Sequence, residues 1–320
     1  VAGELHQTMV DWQGDNERLT RATDGRWYGT APAGDSAESA GCIYRVHATE
    51  PGLEVVVRLP ANGSLGQIPF DGLVEAEKGW LYGLVQKAPG LWPRPGMFRV
   101  RLKGHDFESL GALPGNPLGG QMQGRDGNLY CLVRLPNAGE GIGLLRTGIP
   151  SHQMEVIARW PESLFGKLQL DGPPIQGPDR RFYATGHRDN PNKPAVIVSV
   201  AESGSDPRVD AELDEQLGTG FMPPLAIGPY GWLYGATTGG GQSGDGGLLR
   251  FRPRPELRAS TNRVEIRAFP GASARLESAS RPEGPWTSES LTLDADGTAV
   301  RPHVPAADPV FFRVILADGE

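Results

Sequence analysis

Asp24-Gly25-Arg26-Trp27-Tyr28-Gly29-Thr30 is the stretch whose reading decides the fold. Asp-Gly is a hairpin signal, because both residues tolerate the positive φ that primed turns need. The aromatic and β-branched residues after it favour a strand. Before the turn, Leu19-Thr20-Arg21-Ala22 is a short alternating run. After it comes a Gly/Ser/Pro-rich loop through Gly41, then Cys42-Ile43-Tyr44-Arg45-Val46 and the run Leu53 to Leu59, ended by Pro60. Four short antiparallel strands in about 50 residues make one propeller blade.

The pattern recurs at Leu81-Tyr82, Leu129-Tyr130, Phe182-Tyr183 and Leu233-Tyr234, with successive tyrosines 54, 48, 53 and 51 residues apart. A second landmark follows each tyrosine by 16 or 17 residues: Arg45, Arg99, Arg146, Ser199 and Arg250. A fixed period with two internal landmarks implies a repeat architecture. With 45 Gly and 29 Pro among 320 residues, the chain suits many turns and few helices. Only Val209 to Leu217 is a helical candidate, and it falls where a fourth strand or its exit loop belongs.

The fifth unit has three strand candidates, and Pro253-Arg254-Pro255 then breaks the pattern. Thr8-Met9-Val10-Asp11-Trp12 resembles the fourth strands of earlier units, so the N-terminus is expected to supply the missing strand as a velcro closure. The expected fold is all-β: a five-bladed β-propeller over 1–252, a Pro-rich linker at 253–257, and a small β-sandwich over 258–320. The sandwich is read from short alternating strands around Val264, Leu276, Leu291 and Phe311, with an Asp-Gly turn at 296–297.

The units resemble a bacterial repeat family of consensus D-G-x-L-Y-G-T-T, then G-G, then G-T-x-F-x-L. The fifth unit carries most of this: Gly231-Trp232-Leu233-Tyr234-Gly235-Ala236-Thr237-Thr238-Gly239-Gly240, then Gly246-Gly247-Leu248-Leu249-Arg250-Phe251. The fourth departs most, with Asp179-Arg180-Arg181-Phe182-Tyr183-Ala184. The resemblance covers about residues 1–252. It implies a propeller-like fold in exported bacterial proteins and supplies no catalytic residues. The C-terminal run resembles small β modules on exported bacterial proteins, also without enzymatic residues.

A net charge of −7 argues against a general nucleic-acid grip, which wants a basic face. No apolar run is long enough to span a membrane. The start at Val1-Ala2-Gly3, without Met, reads as a processed or trimmed chain and leaves export open; the expected location is secreted, periplasmic or cell-surface. Cys42 and Cys131 fall on non-neighbouring blades and are not expected to pair. No HExxH, paired CxxC or complete calcium loop occurs, so no cofactor or metal is expected.

Seven residues before each tyrosine stand Arg21, Glu75, Gln123, Gln176 and Ile227, a position on the innermost strand. The resembling family often carries Gln here. A polar, water-filled tunnel explains such a ring; the departure of Arg21 and Glu75 from Gln suggests chemistry. Glu75 is therefore the first candidate carboxylate, with Arg21 as an ion-pair partner lowering its pKa. Asp71, Asp171 and His187 are candidates for the second catalytic group. Trp92, Arg94, Arg134 and Arg188, on or beside the loops between second and third strands, join Arg21, Gln123 and Gln176 as candidate substrate contacts. Paired carboxylates would suit a glycoside hydrolase. His187 as base, with Arg188, Arg134 or Arg94 neutralising a uronate, would suit a polysaccharide lyase. The expected partner is a glycan or polysaccharide. The alternative is a non-enzymatic scaffold that binds a protein or cell-surface partner.

Overall fold

The computed structural model describes residues 18–31, 39–46, 53–60, 68–86, 94–104, 106–188, 195–213, 218–241, 244–260, 262–269, 271–295, 297–302 and 310–316. The chain is all-β, with several four-stranded antiparallel sheets. The first sheet runs Thr20–Arg21, Trp27–Ala31, Ser39–Val46 and Leu53–Pro60. The second runs Ile68–Glu77, Trp80–Gln86, Gly96–Arg101 and Phe107–Ala112. The third runs Asn116–Gln123, Leu129–Arg134, Ile142–Thr147 and Met154–Trp160. The fourth runs Leu168–Gln176, Phe182–Arg188, Ala195–Val200 and Arg208–Glu212. A fifth sheet, Thr219–Ile227, Leu233–Gly239 and Leu248–Phe251, has three strands among the described residues. In each, sequence neighbours pair in order. The helical candidate falls partly on Arg208–Glu212, which is a strand.

The two landmarks of the repeat are cross-strand partners. Tyr28 faces Arg45, Tyr82 faces Arg99, Tyr130 faces Arg146, Tyr183 faces Ser199 and Tyr234 faces Arg250. The first three arginines then pair with a glutamate on the fourth strand: Arg45 with Glu54, Arg99 with Glu108, Arg146 with Glu155. Four of the tyrosines are buried, while Tyr234 is 38% exposed.

The Asp-Gly turn also has a chemical reason. Asp24, Asp126 and Asp179 each accept the hydroxyl of the tyrosine four residues on and the backbone N–H two residues on. The turn differs from the primed type expected. Gly25 N–H bonds to Ala22 O while Ala22 N–H bonds to Arg26 O, and only Gly25, at φ 82°, is left-handed. This is a three-residue hairpin loop with one αL residue, not two. Arg180 fills that position in the fourth turn at φ 69°. A side chain there costs roughly 1 kcal/mol or more, and its Glu202 contact at 3.9 Å is partly exposed and worth little. Arg180→Gly should therefore raise stability by roughly 1 kcal/mol in urea denaturation; an unchanged midpoint would show the turn to be relaxed.

Apolar clusters join the sheets face to face in sequence order. One unites Tyr28 and Ile43 with Leu81 and Phe98, the next Tyr82 and Met97 with Leu129 and Leu145. The third unites Tyr130 and Leu144 with Phe182 and Val198, the fourth Tyr183 and Ile197 with Phe221 and Leu233. Each of the first four tyrosines thus faces the following sheet, and the first strands stand side by side. Cys42 and Cys131 are buried apart from one another in separate clusters.

After the fifth sheet come two three-stranded sheets around one apolar cluster that includes Val264, Ile266, Leu276 and Leu291. One is formed by Glu256–Ala259, Arg263–Arg267 and Thr298–Pro302, the other by Thr287–Thr292, Ser273–Ala279 and Phe311–Leu316. Asp294 closes the turn between them, accepting from Thr298 N–H at 2.8 Å. This pair of sheets touches the rest of the chain. Arg181 of the fourth sheet, 1% exposed, donates to Glu256 at 2.5 Å, and Arg252 lies over the Phe269 ring at 5.4 Å.

Candidate functional site

Each antiparallel sheet has two ends. At the hairpin end lie the Asp-Gly turns and the residues seven before each tyrosine. At the loop end lie the starts of the first strands and the ends of the second. The candidate residues divide between these ends.

At the hairpin end the ring residues act as ties between sheets. Glu75 accepts from Thr23 N–H and Thr23 Oγ1, both at 2.6 Å, and from Gly79 N–H at 2.7 Å. Burial pushes its pKa up, but these hydrogen bonds outweigh it and hold the carboxyl below its ordinary value. Arg21 is exposed and makes no ion pair with Glu75, so the direction of the shift was foreseen but not its cause. Gln123 donates to Ala76 O at 3.1 Å and to Gly127 O at 2.9 Å. Gln176, 5% exposed, accepts from Arg125 N–H at 2.8 Å and donates to Glu202 at 3.0 Å. Ile227 is 54% exposed.

The reason for glutamate at 75 is local. The second turn reads Glu77-Lys78-Gly79 and lacks the aspartate. Glu77 takes the Tyr82 hydroxyl at 2.5 Å, and Glu75 takes the Gly79 amide. Glu77 thus takes the tyrosine hydroxyl that an aspartate takes elsewhere, while Glu75 holds the turn through an amide one residue earlier.

Further along the first strands neighbouring sheets come into close backbone contact. A Cβ at Gly119 would collide with the Gly172 backbone, and one at Gly120 with the Asp71 carboxylate. Glycine is there because neighbouring backbones touch. The Asp71 carboxylate is spent on this contact: Oδ2 accepts from Gly120 N–H at 2.6 Å and Oδ1 from Gly72 N–H at 2.7 Å.

At the loop end of the third and fourth sheets, three candidates do meet. His187 Nε2 lies 3.9 Å from Asp171 Oδ2. They stand on adjacent strands of one sheet, where Gln169 faces His187 and Asp171 faces Thr185, so the contact is diagonal. The distance is too long for a hydrogen bond. His187 is 12% exposed, and its Nδ1 is buried without a partner. Burial raises the Asp171 pKa, with His187 and Arg134 pulling it partly back. Arg134 reaches across from the third sheet, donating to Gln169 Oε1 at 2.7 Å and Leu168 O at 3.3 Å. Gln169 was not among the sequence candidates; as the cross-strand partner of His187 it was detectable from register alone.

The other candidates stand elsewhere. Arg188 is turned away from the cluster toward Glu212 at 3.0 Å and Phe165 O at 2.5 Å. Arg94 is exposed just before the third strand of the second sheet. Trp92 lies outside the described residues, as does the strand expected at 8–12. Among the described residues no group of three or more His, Cys, Asp or Glu is placed to hold a metal ion, and no helix is long and apolar enough to cross a membrane.

No family model and no curated protein matches the chain in sequence. Among solved structures, the soluble aldose sugar dehydrogenase of Escherichia coli, in its apo form, is similar with a TM-score of 0.50 and 15% identity, over 79% of this chain and 87% of that one. An α-L-arabinofuranosidase of Fusarium graminearum, in complex with an iminosugar inhibitor, gives 0.49 and 12% over 87% and 92%. A protein of unknown function from Dyadobacter fermentans gives 0.47 and 14% over 89% and 94%. At these identities the first likeness bears on the fold, which is propeller-like, and not on chemistry.

Proposed function

We propose that this chain is an exported, glycan-recognising five-bladed β-propeller that acts on a polysaccharide at its loop end. The observation that carries the functional part is the convergence of Arg134, Gln169, Asp171 and His187 at that end of the third and fourth sheets. A guanidinium and an amide suit hydroxyls or a carboxylate of a sugar, and an imidazole beside a carboxyl suits proton transfer. The test is a saccharide array with product analysis on acidic and neutral polysaccharides. Binding that Arg134→Gln abolishes is expected. If no glycan binds, the scaffold reading takes its place.

Five blades, closure by residues 8–12, and a sandwich over 258–320 belong to the same proposal, as does kinship with the Asp-Gly-x-Leu-Tyr repeat family. Two facts support closure. The face of the first sheet turned from the second buries Ala31, Cys42 and Tyr44. The third strand of the fifth sheet has no outer neighbour among the described residues, and its Leu248 is 92% exposed.

The hairpin end has no part in this reading. Glu75→Gln should leave glycan binding and any turnover unchanged, because the side chain ties two sheets together. Altered turnover with an unchanged melting temperature would return the chemistry to the ring.

A further inference from the structure

Among the described residues the loop-end cluster holds one carboxylate, not two. Paired-carboxylate hydrolysis needs two carboxyl groups about 5–5.5 Å apart for retention or about 6.5–9.5 Å apart for inversion. Asp171 has an imidazole at 3.9 Å instead, and Asp71 is engaged by the Gly120 and Gly72 amides. The set present is a base, an acid and a guanidinium. That set fits proton abstraction next to a carboxylate.

We propose that the site cleaves a 4-linked uronate polysaccharide by syn β-elimination, with Arg134 on the uronate carboxylate and the His187–Asp171 pair moving the protons. This rests on the glycan reading above. Nδ1 of His187 is buried, so Nε2 is the nitrogen that can face a substrate. Nε2 takes the C5 proton. The C5–H electrons form the C4=C5 double bond, the C4–O4 bond breaks, and O4 takes a proton from the Asp171 carboxyl. One proton enters the pair and one leaves it. No water, oxidant or reductant is consumed, and the products are an unsaturated uronate end and a free hydroxyl.

The stereochemistry follows from the spacing. C5 and O4 of one ring are separated by a single carbon. Two groups 3.9 Å apart on one sheet reach both from the same side. They cannot stand on opposite faces of the sugar. Elimination from one side requires H5 and O4 to be cis, as in gluco- and manno-configured uronates. In galacturonate they are trans. Arg134 keeps Nη2 on Gln169 and Leu168, which fixes the plane of the guanidinium and leaves its other nitrogens to pair with the carboxylate.

The test uses the full chain with β-1,4-mannuronan, β-1,4-glucuronan and polygalacturonate, reading binding by calorimetry and unsaturated ends by ultraviolet absorbance and mass. Unsaturated product from the mannuronan or the glucuronan, with none from polygalacturonate, is expected. His187→Gln and Asp171→Asn should each lower the rate about 10²–10⁴-fold with binding retained. Arg134→Gln should lose binding. Each variant is checked for an unchanged melting temperature, and Arg134→Lys serves if Arg134→Gln does not fold. Binding of a polyuronate without unsaturated product, or product from polygalacturonate, overturns the elimination and leaves glycan recognition standing. Binding of neutral glycans alone does the same. If nothing on the array binds, both fall together.

Discussion

Arg181→Met should destabilise the protein by about 3 to 5 kcal/mol, the cost typical of removing one partner from a buried ion pair. The guanidinium is almost wholly buried. It donates to Ser199 Oγ at 2.9 Å, Asp206 O at 2.7 Å, Asp206 Oδ2 at 3.0 Å and Glu256 Oε1 at 2.5 Å. Loss of the arginine strands Glu256, itself 12% exposed, with only the partly exposed Arg258 at 3.2 Å. The double variant Arg181→Met/Glu256→Leu should recover a large part of the loss, because an apolar pair needs no counter-charge. Urea denaturation of the four proteins measures the coupling. Strictly additive losses would mean that the two residues do not communicate. The same bond bears on the Pro253-Arg254-Pro255 segment, since Glu256 directly after it is anchored to the fourth sheet. Limited proteolysis should cut there slowly, and more rapidly in Arg181→Met.

Deleting residues 1–12 should lower the melting temperature by several degrees and broaden the transition, if these residues complete the fifth sheet as proposed. A lost edge strand takes away its ladder bonds and re-exposes the apolar surface beneath it. The fifth sheet has the surface for such an effect, with Leu248 at 92% and Tyr234 at 38% exposure. The test is calorimetry of the truncated and full chains. Equal melting temperatures would sink the closure, and with it the argument for a ring.

Much of the architecture was legible because its landmarks are pairing partners. A tyrosine and an arginine 16 or 17 residues apart face each other across a hairpin of two strands, so their spacing reports strand and loop length directly. The turn type was misjudged because Asp-Gly serves both hairpin loops, and only the hydrogen bonds tell them apart. The ring misled for a subtler reason. Glu75 departs from glutamine in a unit whose turn lacks aspartate, and there it takes the Gly79 amide while Glu77 takes the tyrosine hydroxyl. Asp171, His187 and Arg134 were each named from sequence, but their meeting depends on a diagonal contact and a reach between sheets. No period in the sequence encodes either. The irregular fourth unit has a similar logic. Ser199 replaces arginine there, and Arg181 donates to it on its way to Glu256.

The three ring residues that tie sheets at the hairpin end point one way. In every case the side chain belongs to the later sheet and its backbone partner to the earlier one: Glu75 to Thr23, Gln123 to Ala76, Gln176 to Arg125. A chain made from its N-terminus therefore finds each docking point already in place when the next unit emerges. For these three ties synthesis and assembly run in the same direction. A circular permutant opened between the second and third units would reverse that order at one junction, with Gln123 synthesised before Ala76.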